Sequence, residues 1–482
     1  MSELVFLLAI EAVIFGAVIV LREPKLLIPA VVVGLPFEYL QTETLDSLGE
    51  GGIGGAIRAL LNPGKAAMAA TIVVAIVRCR HDLGRLFPDS AILLPLAALL
   101  AVVALGVFWS DSLTPPNAVL IMPMYVAFVF VVPSFIENRR DLERIVGAIL
   151  VVAAVLSCLA VAQRLFGVFN WRTILIQSDA YSYRSNATFA DPNNFARYLS
   201  SAMALAAGLI LATGPRRQTV FLAIPMLAVS AVGIIATASR SGWIALILVT
   251  FLVVMMAPIA RYTKVRLTLL SMGGLTMMIT LLLLQGGTDA ERVKSLTSGV
   301  TLLGQRSFLI RAGWEMWKDS PLIGVGSGNY QNSLIMSYLW VVPSWAQVSL
   351  SHTSLVSILA ELGIVGMALF VFVAGRIAIA IVSAYHATED RYNRLMIGWC
   401  AAALIGILFQ SQSEGRLLDE PYLWLFLGIF VALETGLAVR SPAPAAVPAA
   451  ARSAQLPRAA APEESPRGRR RVPAPVLTSE TD

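Results

Sequence analysis

Charged side chains are scarce in this sequence. Asp, Glu, Lys and Arg make up 14% of 482 residues, where a soluble domain carries about 25%. That excludes a single soluble globular domain and a disordered chain. Cysteine is also scarce. Cys79, Cys158 and Cys400 each lie in or beside an apolar run, so the chain is no secreted disulfide scaffold. With only three histidines, no His/Cys/Asp cluster has the spacing of metal ligands, and no serine sits in a nucleophile elbow. What the chain has in abundance is apolar. Hydrophobic residues reach 57%, which is the composition of an all-α, polytopic integral membrane protein whose solvent is the lipid bilayer. The net charge of +6 calls for no nucleic-acid partner, because membrane topology accounts for most of it.

A spanning helix needs about 20 mainly apolar residues. Clear runs are 91–109, 117–135, 145–163, 195–213, 219–236, 242–258, 267–285, 354–375, 395–410 and 421–439, with less clean runs at 4–21, 26–40 and 66–77. Twelve or thirteen spans are predicted. The first run lacks the basic n-region and small-residue cleavage site of a signal peptide. Arg78, Arg80 and Arg85 share one short loop, and Arg139, Arg140 and Arg144 another. Arg216 with Arg217, then Arg261, Lys264 and Arg266, then Arg376, Arg391 and Arg394 continue the series. These loops alternate with loops poor in Lys and Arg, so the basic set is predicted to be cytoplasmic. The domain layout follows: a transmembrane domain over 1–439, and a Pro/Ala/Arg-rich tail over 440–482 that reads as disordered and cytoplasmic. Two longer connections, 164–194 and 286–352, fall on the outer side. The second is long enough to carry short helices of its own. No repeat of fixed period is evident.

The polar residues of interest collect on the outer side. The stretch from Arg184 to Tyr198 contains Asp191-Pro192-Asn193, in which Asp191 can cap the next helix with Pro192 at its first position. That does not explain Arg184, whose planar fork suits two phosphate oxygens at once. The turn Thr237-Ala-Ser239-Arg240-Ser241 is short. Ser239 or Ser241 can cap the following helix, and Arg240 opposes its dipole. An arginine there can snorkel to the headgroups, or, with the free helix N–H groups, it can hold an anion.

In the long loop, Arg306, Ile310, Trp314 and Trp317 share a helical face. Arg311 and Glu315 are four apart and can pair with each other, which leaves Arg306 without a structural explanation. Trp314 and Trp317 read as interfacial anchors. Gly324, Gly326 and Gly328 have the wrong spacing for a dinucleotide loop and read as a tight turn that returns the chain to the membrane. His352 stands at the outer end of a helix. The helix N-terminus disfavours imidazolium, which keeps a histidine neutral and able to accept a proton. Along an unbroken helix Gly363 shares the face of His352, and Glu361 lies opposite and bonds a neighbouring helix. Several arginines and one histidine suit displacement of a diphosphate by a hydroxyl, with arginine in place of a metal ion.

These stretches resemble the O-antigen ligase and O-antigen polymerase family of bacterial inner-membrane glycosyltransferases. Four segments carry the resemblance: Arg184 to Tyr198, Ser239-Arg240, Arg306 to Asn329, and His352 to Gly366. The last has a His, a small polar residue and, further on, Gly-x-x-Gly, here His352, Thr353, Gly363 and Gly366. Thr353 departs from the Asn, Ser or Gln usual there. The resemblance implies transfer of a glycan from a polyprenyl-diphosphate carrier to a glycan or lipid-linked acceptor at the periplasmic face, with no cofactor and no metal. It implies that His352 activates the acceptor hydroxyl. Arg240 and Arg306 hold the diphosphate, and Arg184, Asn193, Ser239 and Tyr198 serve substrate binding. Ligase and polymerase stay open, because the acceptor is what differs. From another class, a transporter of lipid-linked or anionic solutes is the alternative, and a non-catalytic subunit is a third reading. Transporters usually show repeats that relate their intramembrane ionisable groups, and nothing relates Glu11, Glu38, Glu361 and Glu434.

Overall fold

The computed structural model describes residues 16, 22–38, 62–110, 117–168, 184–213, 217–257, 259–270, 273, 280, 299–343, 353–413, 415 and 417–436. Among these every regular element is helical. In chain order they are α1 (Leu27–Gly34), α2 (Pro63–Arg78), α3 (Leu93–Leu105), α4 (Asn117–Val131), α5 (Arg139–Phe166), α6 (Pro192–Thr213), α7 (Arg217–Ala236), α8 (Arg240–Met256), α9 (Gly299–Asp319), α10 (Tyr330–Ser337), α11 (Ser354–Ala387), α12 (Arg391–Ser411) and α13 (Pro421–Glu434). The chain divides into two units, Met1–Arg440 and Ser441–Asp482. The second, which holds the predicted tail, lies outside the described residues.

Among the described residues four helices are long and apolar enough to cross a membrane: Arg139–Phe166, Pro192–Leu211, Ser354–Ala387 and Arg391–Ser411. Shorter apolar helices join them, among them Leu93–Leu105, Ala223–Ala236, Arg240–Met256 and Pro421–Glu434. This is the architecture of a polytopic helical membrane protein. The predicted runs 4–21 and 267–285 fall almost wholly outside the described residues.

Local chemistry sets the helix ends. The side chain of Asn62 accepts from Gly64 N (2.9 Å) and Lys65 N (3.0 Å) to cap α2, with Pro63 at its first position. Asn138 caps α5 in the same way, and Gly167, with φ +65°, ends it. Asp390 caps α12 by accepting from Asn393 N at 2.8 Å. α12 and α13 lie at the centre, with most of their side chains buried. α8 packs between α6 and α12. α5 and α11 turn exposed Val151, Val155, Val371, Phe372, Ile379 and Val382 outward, the apolar surface that a bilayer accommodates.

The two ends of the bundle differ in chemistry. At one end Lys25 bridges Glu137 (2.7 Å) and Asp141 (3.2 Å). At the same end Arg139 lies over the Tyr392 ring, Arg78 near the Phe135 ring, and Arg391 donates to the Leu211 carbonyl. The loops predicted as basic and cytoplasmic thus gather there. The opposite end holds the segments predicted as outer, Arg184 to Asp191, the turn at Thr237–Ser239, the loop around Gly326 and the start of α11, and with them Ser411, Gln412 and Leu417.

α11 is not one rod. Gly363 takes φ +62° and ψ −164° inside it, and the break exposes backbone groups that a continuous helix would pair. The loop between α9 and α10 satisfies them. Val325 N donates to Ala360 O (2.9 Å) and Gly326 N to Glu361 O (3.0 Å), while Ile364 N donates to Pro321 O (2.9 Å) and Val365 N to Leu322 O (3.2 Å). Face relations computed along an unbroken helix from His352 therefore fail beyond Leu362.

Candidate functional site

Three segments meet at the end predicted as outer on one side-chain oxygen. Asp191 Oδ1 accepts from Asn193 N at 2.6 Å and so starts α6, with Pro192 at its first position. This sets Asn193 on the first turn, where its Oδ1 accepts from Arg184 Nη2 (2.7 Å) and from Ser239 Oγ (2.7 Å). Arg184 Nε also donates to Thr237 O at 3.0 Å. The first outer loop, the start of α6 and the turn between α7 and α8 are thereby fixed together.

That turn is strained. Ala238 has φ +50°, a left-handed conformation that costs a non-glycine residue about 1–2 kcal/mol. Thr237 supports it, with Oγ1 donating to Ile234 O (2.7 Å) and accepting from Ser239 N (3.2 Å). Ser239 accepts from Gly242 N at 3.2 Å and caps α8. Arg240 is consequently the first residue of α8, half-buried, at the positive end of the helix dipole.

A second polar layer lies beneath. Arg197 and Glu420 form an ion pair in which the two side chains are 1% and 5% exposed. Glu38 accepts from Ala190 N and from Asn194 Nδ2, each at 3.1 Å. Tyr198 sits deeper still. Its hydroxyl donates to Ile149 O at 2.7 Å, and its ring packs against Phe189 and Tyr422.

The start of α11 is tied to the 411–417 segment. Ser354 Oγ donates to Ser411 O (3.0 Å) and accepts from Leu417 N (3.1 Å), and Gln412 Oε1 accepts from Leu355 N (3.3 Å). Thr353 Oγ1 donates to Gln412 O at 3.4 Å. The same segment runs on to Glu420, the partner of Arg197. His352 itself lies outside the described residues, but its neighbour Thr353 is anchored to this network.

Arg306 reaches the region from α9. A Cβ on Gly313 would come within 2.5 Å of Val356 Cγ1, and Pro321 O accepts from Ile364 N. Both pairs have the same offset (356 − 313 = 364 − 321 = 43), so α9 runs alongside the outer part of α11 in the same direction. By this register Thr353 is level with Ile310. Arg306, four residues earlier, stands about 6 Å further out. It is half-buried.

One expectation is corrected. Glu315 bonds Lys318 (3.1 Å) in place of Arg311, because the three-residue spacing brings the lysine ammonium into reach. Glu361 bonds the start of a neighbouring helix, as expected, accepting from Tyr330 N of α10 (3.2 Å) and also from Gly328 N in the loop before it (2.8 Å). The glycine-rich stretch is the tight turn expected, with φ +71° at Gly324, +100° at Gly326 and +67° at Gly328. Nearby, burial and a hydrogen bond to Asp319 (2.7 Å) push the Tyr338 hydroxyl up to about 12. Arg197, Glu420 and Gln412 escaped the sequence reading. Glu420 before Pro421 carried a helix-start signal and Arg197 stood inside a motif segment, but nothing in the sequence pairs them.

Residues 225–371 match the family described as O-antigen ligase. Over this segment the chain is similar to the O-antigen ligase family. The segment holds Ser239, Arg240, Arg306 and His352, and Gly363 with its break. Arg184, Asn193 and Tyr198 precede it. A comparison with curated proteins found no match. The match supports a glycosyltransferase-type membrane enzyme of surface-polysaccharide biosynthesis, with lipid-linked glycan substrates and a bacterial inner-membrane setting.

Proposed function

We propose that this protein transfers a glycan from a polyprenyl-diphosphate carrier to an acceptor hydroxyl at the periplasmic face. The observation that carries the reading is the shared Asn193 oxygen. It locks Arg184 to Ser239 and fixes Arg240 at a helix N-terminus on the bundle end away from the basic loops. In this reading the acceptor oxygen bonds to the anomeric carbon while the bond from that carbon to the diphosphate oxygen breaks. His352 takes the hydroxyl proton. The diphosphate leaves with the bonding electrons, and Arg240 and Arg306 offset its added negative charge. Arg184, which binds Thr237 and Asn193, braces the turn that carries Arg240. Ser239 caps the same helix.

Arginine cations supply the charge that a metal would, so transfer is expected to continue in the presence of a chelator. The deciding experiment is transfer by the purified protein in vesicles, with a defined lipid-diphosphate glycan and a panel of acceptors. Transfer to lipid A core marks a ligase, and extension of a carrier-linked glycan marks a polymerase. Movement of the donor across the bilayer without glycosidic transfer would overturn the reading in favour of a transporter.

A further inference from the structure

The outer hairpin of α9 and α10 has a face that water does not suit. Ile335 and Met336 on α10, and Leu339 and Trp340 just after it, are exposed, Met336 by 76% and Trp340 by 69%. Ile335 and Met336 lie in the last turn of α10, and Leu339 and Trp340 in the short 3-10 turn Leu339–Val341 that follows it, so four exposed apolar side chains fall within six residues as one short strip of chain. The opposite side of α10, with Tyr330, Ser333 and Leu334, is buried against the protein. Leu322 and Ile323, at the tip of the hairpin, are exposed as well.

Two further observations say what covers this strip. From Ser320 to Ser351 the chain has no Asp, Glu, Lys, Arg or His, whereas the preceding residues 289–319 hold nine charged side chains (Asp289, Glu291, Arg292, Lys294, Arg306, Arg311, Glu315, Lys318, Asp319). An exposed surface without charge suits lipid and not water. The tip also sits where an apolar helix ends. Trp109, the last residue of the apolar run through α3, donates to Ile323 O at 3.2 Å, and Ser327 bonds Gly106 O (3.0 Å) and Val103 O (2.6 Å). Trp at the end of an apolar span marks the membrane–water boundary.

We propose that the strip Ile335, Met336, Leu339 and Trp340, continued by Leu322 and Ile323, inserts into the outer leaflet at that boundary. The hairpin is then a membrane-seated element that holds α9, and with it Arg306, at a fixed height above the bilayer. The inference needs the chain to span the bilayer and is independent of which donor or acceptor the protein uses.

The test is spin-label accessibility in the full chain, reconstituted in phosphatidylcholine/phosphatidylglycerol vesicles. Cys158, the exposed native cysteine, is replaced by Ser, and a nitroxide is attached at Met336→Cys, Leu322→Cys or Arg311→Cys. All three positions are exposed, so the label displaces no packing. Oxygen, which partitions into lipid, is expected to relax the labels at 336 and 322 more than a water-soluble nickel chelate does, with the order reversed at 311. A 336 label that responds more to the nickel chelate would overturn the proposal, since the strip would then face water. An immobilised 336 label closed to both reagents would overturn it too, because a second protein copy would then cover the strip.

Discussion

At the residue scale, the arrangement separates groups that would act on substrate from groups that hold them. Arg240→Lys keeps a charge but loses the fork that binds two oxygens. It is expected to weaken carrier binding and to slow transfer together, as leaving-group charge grows in the transition state. His352→Ala is expected to leave carrier binding nearly unchanged and to cut turnover by about 100-fold or more, the usual contribution of a positioned base. Carrier binding and transfer measured side by side on folded variants separate the two. A His352→Ala protein with full turnover removes the histidine from the mechanism. The pair Arg197–Glu420 is of the holding kind. Glu420→Gln leaves the Arg197 guanidinium buried without its counter-charge, which costs about 3–5 kcal/mol. The double variant Arg197→Met with Glu420→Leu removes both charges and should regain most of that loss. Thermal unfolding of the single and double variants in detergent checks this. If the double variant is no more stable than Glu420→Gln, the pair is bound into a wider network than the two side chains.

At the element scale, the break in α11 is what the sequence concealed. The apolar runs and the helix start at Pro192 are local signals, legible as spans and a helix end, while the caps Asn62, Asn138 and Asp390, local as they are, emerged only from the structure. The break depends on Gly363 meeting Leu322, forty-one residues earlier in the chain (363 − 322). No local pattern reports such a meeting, so His352 and Gly363 read as one helical face. For the same reason Asn193, Arg184 and Ser239 could be named as candidates singly, while their shared hydrogen bonds could not. The docking predicts a specific sensitivity. A Cβ on Gly363 would lie 2.3 Å from Leu322 O, in a backbone conformation with φ +62° that L side chains rarely adopt, whereas a Cβ on Gly147 would meet open space. Gly363→Ala should undock the hairpin and expose the segment near Gly326 to added protease. Gly147→Ala should leave the digestion pattern unchanged. Equal digestion of the two would show that the hairpin does not rely on the break. Glu361→Gln is a milder version. The carboxamide offers one acceptor to two backbone donors, Gly328 N and Tyr330 N, and the donor left unmet should cost about 1–3 kcal/mol.

At the scale of the whole molecule, the bundle has a sidedness on which every functional assignment depends. One end collects Lys25, Arg78, Arg139, Arg391 and Arg394. The other collects Arg184, Asn193, Ser239, the Gly326 loop and the start of α11. Short basic loops stay in the cytoplasm, because positive charge resists translocation. By that rule the first end is expected inside and the hairpin outside, where a lipid-diphosphate glycan would be used without cytoplasmic nucleotide. Arg184 and Arg240 do not contradict this, because each is held within the folded outer end by Thr237, Asn193 or the α8 cap and not in a basic loop. Alkaline phosphatase, active only in the periplasm, fused after Ala387 should be inactive, and fused after Ser327 it should be active. The two fusion points lie before and after α11 in the chain, so they must disagree if α11 is the one crossing between them. Activity at Ala387 with none at Ser327 would invert the molecule, place Arg240 and the hairpin in the cytoplasm, and withdraw the periplasmic transfer reading. Matching activity at both would mean that α11 does not span, and the lipid-seated hairpin would fall with it.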